Sequence, residues 1–315
     1  MAMRYISMLT AIFTVLCCGS AQAWWDEGHM QIAYLAYKRL APAAKDRADA
    51  LLKLNPDYPN WVAGAPAGME KLYAFVHAAT WADDIKTRAD YYDDQKSDST
   101  ATQNVPYGHL KHAYWHFKDV RFSPDGTQYP KPDPVDAATQ LKVMIAALPS
   151  SSNASDELRS YDLTWTIHLV GDLHQPLHAA DRYTAQIAGT DGDVGGNLEL
   201  VTPATGETLP LHFYWDRMFG GYSSVFGAMT DADDKNSGLK NVTPDEEKAL
   251  NLDPEQWAQE SFELAKQNAY APPITTDKTP VQLTREYETN ARNVARSQAA
   301  LAAARLGNLL NQVLR

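Results

Sequence analysis

The stretch TIHLVGDLHQPLH, residues 166–178, decides the fold. Its apolar residues recur at three- and four-residue steps, which predicts a helix. His168 and Asp172 are four residues apart, so a helix places the imidazole and the carboxylate on one face, one turn apart, as two ligands of one metal ion must be. Pro176 then breaks the helix and lets His178 turn back toward the same region. The stretch therefore predicts a helix that carries part of a metal site.

The same helical periodicity recurs along most of the chain. The other segments that show it are residues 31–54, 71–90, 136–148, 253–270 and 284–314. Stretches rich in Pro and Gly separate them. Residues 195–213 instead alternate apolar and polar side chains around Leu198 and Leu200, as a small hairpin does. We predict a mainly α fold, a single-domain multi-helix bundle with one small β-hairpin.

The N-terminal residues have the pattern of a secretory signal peptide. Arg4 precedes a short apolar segment at residues 6–18, and the small-x-small pattern of a cleavage site follows at residues 21–23. A membrane anchor is the alternative, but the apolar segment is short for one. We expect residues 1–23 to be removed and residues 24–315 to form one domain, secreted or periplasmic, with no membrane anchor after processing.

Composition limits the chemistry of the predicted mature chain. Both cysteines, Cys17 and Cys18, fall in the predicted leader, so a metal site must use His, Asp, Glu or backbone ligands. The net charge is −11, and −12 without Arg4. Such an acidic chain is a poor candidate for binding duplex DNA through a stripe of lysines. Bound metal ions would be needed to supply positive charge locally.

Histidines and aspartates recur at the spacing of metal ligands. His212 and Asp216 repeat the four-residue spacing, while Asp83 and His116 lie in tryptophan-containing motifs. One such pair is most often a surface or capping interaction, but two pairs in a chain without structural cysteines favour a metal site. His77, His109, His112 and His174 lack this spacing, and we interpret them as structural.

Taken in order, these motifs resemble those of the zinc-dependent single-strand-specific nucleases of fungi, plants and some bacteria, relatives of the bacterial zinc phospholipases C. The resemblance covers nearly the whole predicted mature chain and implies the helical fold of that group. The motifs that carry it are W-x4-H from Trp24, WAD at 81–83, HF at 116–117, H-x3-D-x-x-Q-P-L-H at 168–178, GGN at 195–197 and H-x-x-W-D at 212–216.

The resemblance implies three Zn²⁺ ions. One buried zinc would be bound by Asp83, His116, His168 and Asp172. A second would be bound by His29, by Asp172 as a bridge, and by the free α-amine and backbone carbonyl of Trp24, which cleavage after Ala23 would create. The third and more exposed zinc would be bound by His178, His212 and Asp216.

The implied activity is that of an endonuclease acting on single-stranded DNA and RNA. A zinc-bridged hydroxide would attack phosphorus and leave a 5′-phosphate product, and the resemblance implies 3′-nucleotidase activity on nucleotides as well. Phe117 is our candidate for stacking on an unpaired base, with packing in the core as the alternative. We expect the protein to be a monomer.

Some assignments rest on weaker parts of the resemblance. The family carries an acidic residue shortly after HF, and Asp119 is the nearest candidate to assist the attacking water, with Lys118 as a candidate phosphate contact. Arg217 follows the last motif, and Asn197 ends the GGN motif; we expect both to contact substrate.

Two other functions remain open at this point. A zinc phospholipase C would share the cluster and the N-terminal tryptophan. The short spacing of Trp24 to His29, and Asp216 in place of a glutamate, favour the nuclease. A secreted zinc-binding protein without catalysis would need closed, saturated metal sites.

Overall fold

The computed structural model describes residues 24–187, 192–221, 224–274 and 280–315. The predicted signal peptide, residues 1–23, lies outside them. The described residues form the α-helices α1 (Asp26–Arg39), α2 (Pro42–Leu52), α3 (Tyr58–Val62), α4 (Glu70–Ala78), α5 (Trp81–Thr87), α6 (Ala137–Ala147), α7 (Asp156–Asp172), α8 (Leu211–Asp216), α9 (Val225–Ala232), α10 (Glu246–Ala249), α11 (Pro254–Leu264) and α12 (Arg285–Val313). They also form 3₁₀ helices at Ala113–His116, Pro176–Ala179, Ala185–Ile187, Arg217–Phe219 and Leu239–Asn241, and a π-helical turn at Ala265–Ala269.

Helix α7 lies at the centre of the bundle. Every residue from Arg159 to Asp172 is buried, and the helix packs against α2, α5, α6 and α12. A helix surrounded in this way needs no polar face. Its start is fixed by Ser155, whose side chain accepts a hydrogen bond from the backbone N–H of Leu158. The His168–Asp172 end of α7 therefore lies in the interior.

Helix α1 packs along the alanine-rich α12, against α9 and α4, and also contacts α7. The close approach of α1 to α7 requires Gly171, because a Cβ there would lie 2.7 Å from His29 Nδ1. Helix α12 is 29 residues long, yet no helix of the described residues is long and apolar enough to cross a membrane.

Two of the predicted helical segments are broken. Residues 31–54 divide at Pro42, which starts α2, because proline has no N–H to continue α1 and suits a first helical position. Residues 71–90 divide after Ala79. That break leaves the Ala79 carbonyl free of the helix, and it accepts a hydrogen bond from His168 Nδ1.

The predicted hairpin is present, with β3 (Leu200–Thr202) antiparallel to β4 (Leu209–Pro210). A further strand that the sequence did not suggest, β5 (Val281–Gln282), pairs with β3 in parallel. A second ladder joins β1 (Arg121–Phe122) to β2 (Asp181–Arg182) in parallel. The mainly α fold with small strands is confirmed.

Candidate active site

Two candidate metal ligands come from α7 itself. His168 Nε2 lies 3.2 Å from Asp172 Oδ2, and both side chains are fully buried. The His168 Nδ1–H donates to the Ala79 carbonyl at 2.7 Å, which turns Nε2 toward the carboxylate. A hydrogen bond from the ring nitrogen that does not bind the metal fixes the orientation of a ligating histidine.

Asp83 and His116 join this pair from outside α7. Asp83 lies in the first turn of α5, and His116 ends the 3₁₀ helix Ala113–His116. His116 Nδ1 is 3.0 Å from Asp172 Oδ2 and 3.0 Å from His168 Nε2. Asp83 Oδ1 is 3.6 Å from His116 Nδ1 and 3.8 Å from His168 Nε2. The four side chains that were predicted to share one ion therefore converge.

His29 and Trp24 meet the other side of Asp172. His29 Nε2 is 3.2 Å from Asp172 Oδ1, and its ring stacks on His168 with centroids 4.0 Å apart. Trp24 is fully buried, and its indole N–H donates to the Gly171 carbonyl at 3.0 Å. The indole thus ties Trp24 to α7 at the residue next to Asp172.

A second group consists of His178, His212 and Asp216. The Nε2 atoms of His178 and His212 are 3.0 Å apart, and His212 Nε2 is 3.5 Å from Asp216 Oδ2. Each ring donates its Nδ1–H to a backbone carbonyl, that of His116 or that of Gly195, at 2.8 Å. Two neutral Nε2 lone pairs at this distance repel each other unless a cation lies between them.

Buried polar atoms test whether these residues suit a metal ion. Several buried atoms of these residues have no hydrogen-bond partner among the described residues, although such atoms are nearly always paired. They are both ring nitrogens of His29, Asp83 Oδ2, His116 Nε2, Asp172 Oδ1 and Asp216 Oδ2. The imidazole and carboxylate donors suit zinc. The residues therefore fit metal binding.

The charges of the buried side chains in the two groups also favour metal binding. Burial raises the pKa of Asp216 well above its ordinary value, so its carboxylate needs a cationic partner to stay ionised. Burial lowers the pKa of His178 to about 3 and of His212 to about 4. Burial opposes charge on His168 too, but Asp172 and Asp83 outweigh it and raise the pKa of His168 to about 9. The first group thus favours a positive charge beside its two carboxylates.

An open cleft of about 670 Å³ adjoins the second group at His212. Three residues that we predicted to act on substrate or water line it: Phe117, Asp119 and Asn197. Lys96 covers one face of the Phe117 ring, with its ammonium 5.0 Å from the centroid, and lies 3.6 Å from Asp119 Oδ2. Burial raises the pKa of Asp119.

Lys118 does not line this cleft, contrary to our expectation of a phosphate contact there. The backbone is extended at Phe117, so neighbouring side chains alternate in direction and Lys118 points away from the cleft. Its ammonium pairs with Asp136 at 2.7 Å and Glu255 at 2.9 Å. Its charge is therefore already balanced.

Arg217 also lies outside the cleft lining, contrary to the predicted substrate contact. Its guanidinium stacks over Trp25 and Phe213, 5.0 and 5.2 Å from the ring centroids, and pairs with Glu207. Arg217 thus packs Trp25 against α8. Trp25 itself packs edge-on against Phe213, with ring centroids 4.9 Å apart.

Three residues with roles at the site were missed from the sequence. Lys86 Nζ lies 2.6 Å from Asp83 Oδ1, with a side chain only 6% exposed; its three-residue spacing from Asp83 was the available signal. Gln175 donates to Asp216 Oδ1 at 2.7 Å and orients that carboxylate. Asp94, which lines the cleft, accepts hydrogen bonds from the backbone N–H and the ring of His112.

Comparison with known proteins agrees with this geometry. A family model described as S1/P1 Nuclease matches residues 24–315. Nuclease S1 of Aspergillus oryzae is 28% identical over 211 residues, which cover 64% of this chain and 57% of that protein. The chain thus spans little more than half the length of this relative. Because the family model matches nearly the whole chain, the protein belongs to the S1/P1 nuclease family.

Proposed function

We propose that this protein is an exported, zinc-dependent endonuclease that hydrolyses single-stranded DNA and RNA to 5′-phosphate products and also acts as a 3′-nucleotidase. The observation that carries the proposal is that the chain has two buried His/Asp groups that fit metal ions, and that one of them adjoins an open cleft through His212. Membership of a nuclease family supports the same activity. In this proposal residues 24–315 form one catalytic domain that works as a monomer after removal of residues 1–23.

The ligand sets follow the resemblance described above. Asp83, His116, His168 and Asp172 would hold one zinc, and His178, His212 and Asp216 another. A third would share Asp172 with His29 and the amine and carbonyl of Trp24. Bound zinc supplies Lewis acidity and lowers the pKa of water toward neutrality, so that hydrolysis proceeds near pH 7.

The remaining roles belong to residues of the cleft. Asp119 would orient the attacking water and accept its proton at Oδ2, the oxygen that faces Lys96. Phe117 would stack on an unpaired base, and the amide of Asn197 would contact that base. We leave Lys118 and Arg217 out of the proposal, because both are paired outside the cleft.

The burial of the candidate ligands supports the proposed preference for single strands. The candidate ligands are at most 4% exposed, so a phosphate must enter the cleft to reach them. A stiff duplex cannot bend its backbone in this way, while an unpaired nucleotide can be splayed out and stacked on an aromatic ring.

The decisive experiment measures zinc content together with product chemistry. The protein that starts at Trp24 is assayed on single-stranded RNA and DNA, on a 3′-mononucleotide and on a chromogenic phosphocholine ester. We expect about three zinc ions per chain, cleavage of both nucleic acids and 5′-phosphate ends. Hydrolysis of the phosphocholine ester with intact nucleic acids would identify a phospholipase C. One zinc or none, with no hydrolysis, would indicate a zinc-binding protein.

A further inference from the structure

A second cavity, of about 860 Å³, lies at the β1–β2 ladder, away from the candidate metal ligands. Three aromatic side chains and two cations line it: Phe122, Tyr129, Tyr270, Arg182 and Lys266. None of the described residues in its lining is acidic, although the chain has 39 acidic and 28 basic residues. The cavity is therefore lined by aromatic rings and by the exposed Lys266, while the charge of Arg182 is balanced by Glu199 and Asp193.

The ladder forms a wall of both the cleft and this cavity. Arg121 and Asp181 are register partners and line the cleft, whereas the next pair, Phe122 and Arg182, lines the second cavity. Side chains of a strand point alternately to its two faces. One short parallel ladder thus separates the cleft from the second cavity.

Tyr129 links the cleft to the second cavity around the edge of this ladder. It also lines a smaller cavity of about 370 Å³, which shares Lys96, Phe117 and Asp119 with the cleft. The Tyr129 ring lies 5.7 Å from that of Tyr183, which lines the cleft. Aromatic rings therefore continue from the cleft to the second cavity.

The walls of the second cavity are held by internal contacts. Arg182, only 3% exposed, places its guanidinium 4.7 Å from the centre of the Tyr270 ring and pairs with Glu199 at 2.6 Å. Asp125 holds the opposite loop by accepting hydrogen bonds from the backbone N–H groups of Thr127 and Ala185. The cavity is thus formed without a ligand.

The chemistry of the lining selects the ligand. Metal ions are disfavoured, since no described carboxylate lines the cavity. Aromatic faces next to cations bind nucleobases and their phosphates. Lys266 is 39% exposed and pairs with Glu263 at the surface, an interaction weak enough to be exchanged for a phosphate.

We propose that this cavity is a second nucleotide subsite, which holds a nucleotide of the substrate strand several positions from the scissile phosphate. The assignment rests on the proposed nuclease function and extends it. The protein would then prefer strands long enough to reach from the cleft to the cavity.

A double variant, Tyr129→Ser with Lys266→Gln, tests the subsite, because both side chains are partly exposed and their loss leaves the core intact. The measurement is the ratio of kcat/KM for an octanucleotide to that for a dinucleotide. In the unaltered protein we expect a ratio well above one, and in the double variant a fall of about tenfold, as removal of a stacking ring gives. The matched control, Phe226→Ser with Lys71→Gln, removes an exposed ring and an exposed lysine elsewhere and should keep the ratio.

An equal loss on both substrates, or no loss, would overturn the subsite while leaving the nuclease function intact. Binding of a fluorescent phosphorothioate octanucleotide, which resists cleavage, tests the subsite independently of the proposed nuclease function. If no nucleic acid is cleaved yet the double variant binds about tenfold more weakly than the control, the subsite stands and the proposed function fails. Equal binding by the two variants would refute the subsite on either outcome.

Discussion

Asp172 Oδ1 lies 3.2 Å from His29 Nε2, and neither buried atom has a hydrogen-bond partner among the described residues. The other oxygen of Asp172 faces His116 and His168 at 3.0 and 3.2 Å. One carboxylate of α7 therefore touches histidines on two sides. A bridge between two cations would use both oxygens in this way.

We predict that Asp172→Asn removes both ions of the buried group together. Loss of a residue that only hydrogen-bonds to a metal ligand costs about 10–100-fold in metal affinity or activity, so loss of the bridge itself should lower hydrolysis more than about a hundredfold. Zinc content by mass spectrometry, together with cleavage of single-stranded RNA, checks this. Asp46→Asn, which alters an exposed carboxylate on α2, is the control, and full zinc content in Asp172→Asn would contradict the bridge.

Replacing His212 should affect the second group alone. His212→Ala removes one of the paired Nε2 atoms but no contact of Asp172 with its histidines. We expect the loss of about one zinc of the three, retention of the other two, and slower cleavage of RNA and of 3′-nucleotides because the departing 3′ oxygen loses stabilisation. Unchanged rates on both substrates would show that this group takes no part in the reaction.

The sequence predicted which candidate ligands lie next to each other better than it predicted which side chains line the cleft. His168 with Asp172, and His212 with Asp216, lie within single helices, where spacing alone fixes which side chains share a face. The convergence of His168 and Asp172 with Asp83 depends on α5 packing against α7. That contact joins distant segments, so only the family resemblance suggested it.

Side chains in extended segments were harder to predict. Phe117 and Asp119 line the cleft, while Lys118 between them does not. A shift of one residue along this extended segment would have turned Lys118 toward the cleft and the other two side chains away from it. Lys96 over Phe117 comes from a loop distant in sequence. No local pattern encodes such a contact.

A single residue added before Trp24 should disturb metal binding. Trp24 is anchored by its indole at Gly171, beside Asp172, and a free α-amine there can bind a metal only if no residue precedes it. A form that retains Ala23 should hold about one zinc fewer than the form starting at Trp24, with reduced hydrolysis. Intact-mass analysis of the N-terminus alongside zinc content checks this. Equal zinc content in both forms would exclude the amine as a ligand.

Stability should depend on pH through Asp162. This carboxyl is buried on α7, and burial raises its pKa to about 7, whereas an unfolded aspartate titrates near 3.9. Between about pH 4 and pH 7 the folded state therefore binds more protons than the unfolded state, and stability falls as the pH rises.

The variant Asp162→Asn should lose that dependence, because an amide cannot ionise. From pH 4 to pH 8 it should gain roughly 2–4 kcal/mol relative to the unaltered protein. Urea unfolding across this range measures the difference. A constant difference between the two proteins at all pH values would show that Asp162 does not titrate in the folded state.

The buried guanidinium of Arg305 should contribute strongly to stability. Arg305 is fully buried on α12, donates to both oxygens of Glu260 at 2.9 and 3.0 Å, and donates to His174 Nε2 at 2.9 Å. Burial lowers the pKa of His174 to about 3, so the ring is neutral and accepts this bond. Arg305→Leu removes the donor to Glu260, to His174 Nε2 and to the Lys248 carbonyl. We expect a loss of about 2–4 kcal/mol, since Glu260 keeps some contact with solvent. Adding Glu260→Leu should recover part of the loss, because the double variant no longer strands a carboxylate. Urea unfolding of the two variants measures both effects, and a single variant as stable as the unaltered protein would mean that water replaces the guanidinium at no cost.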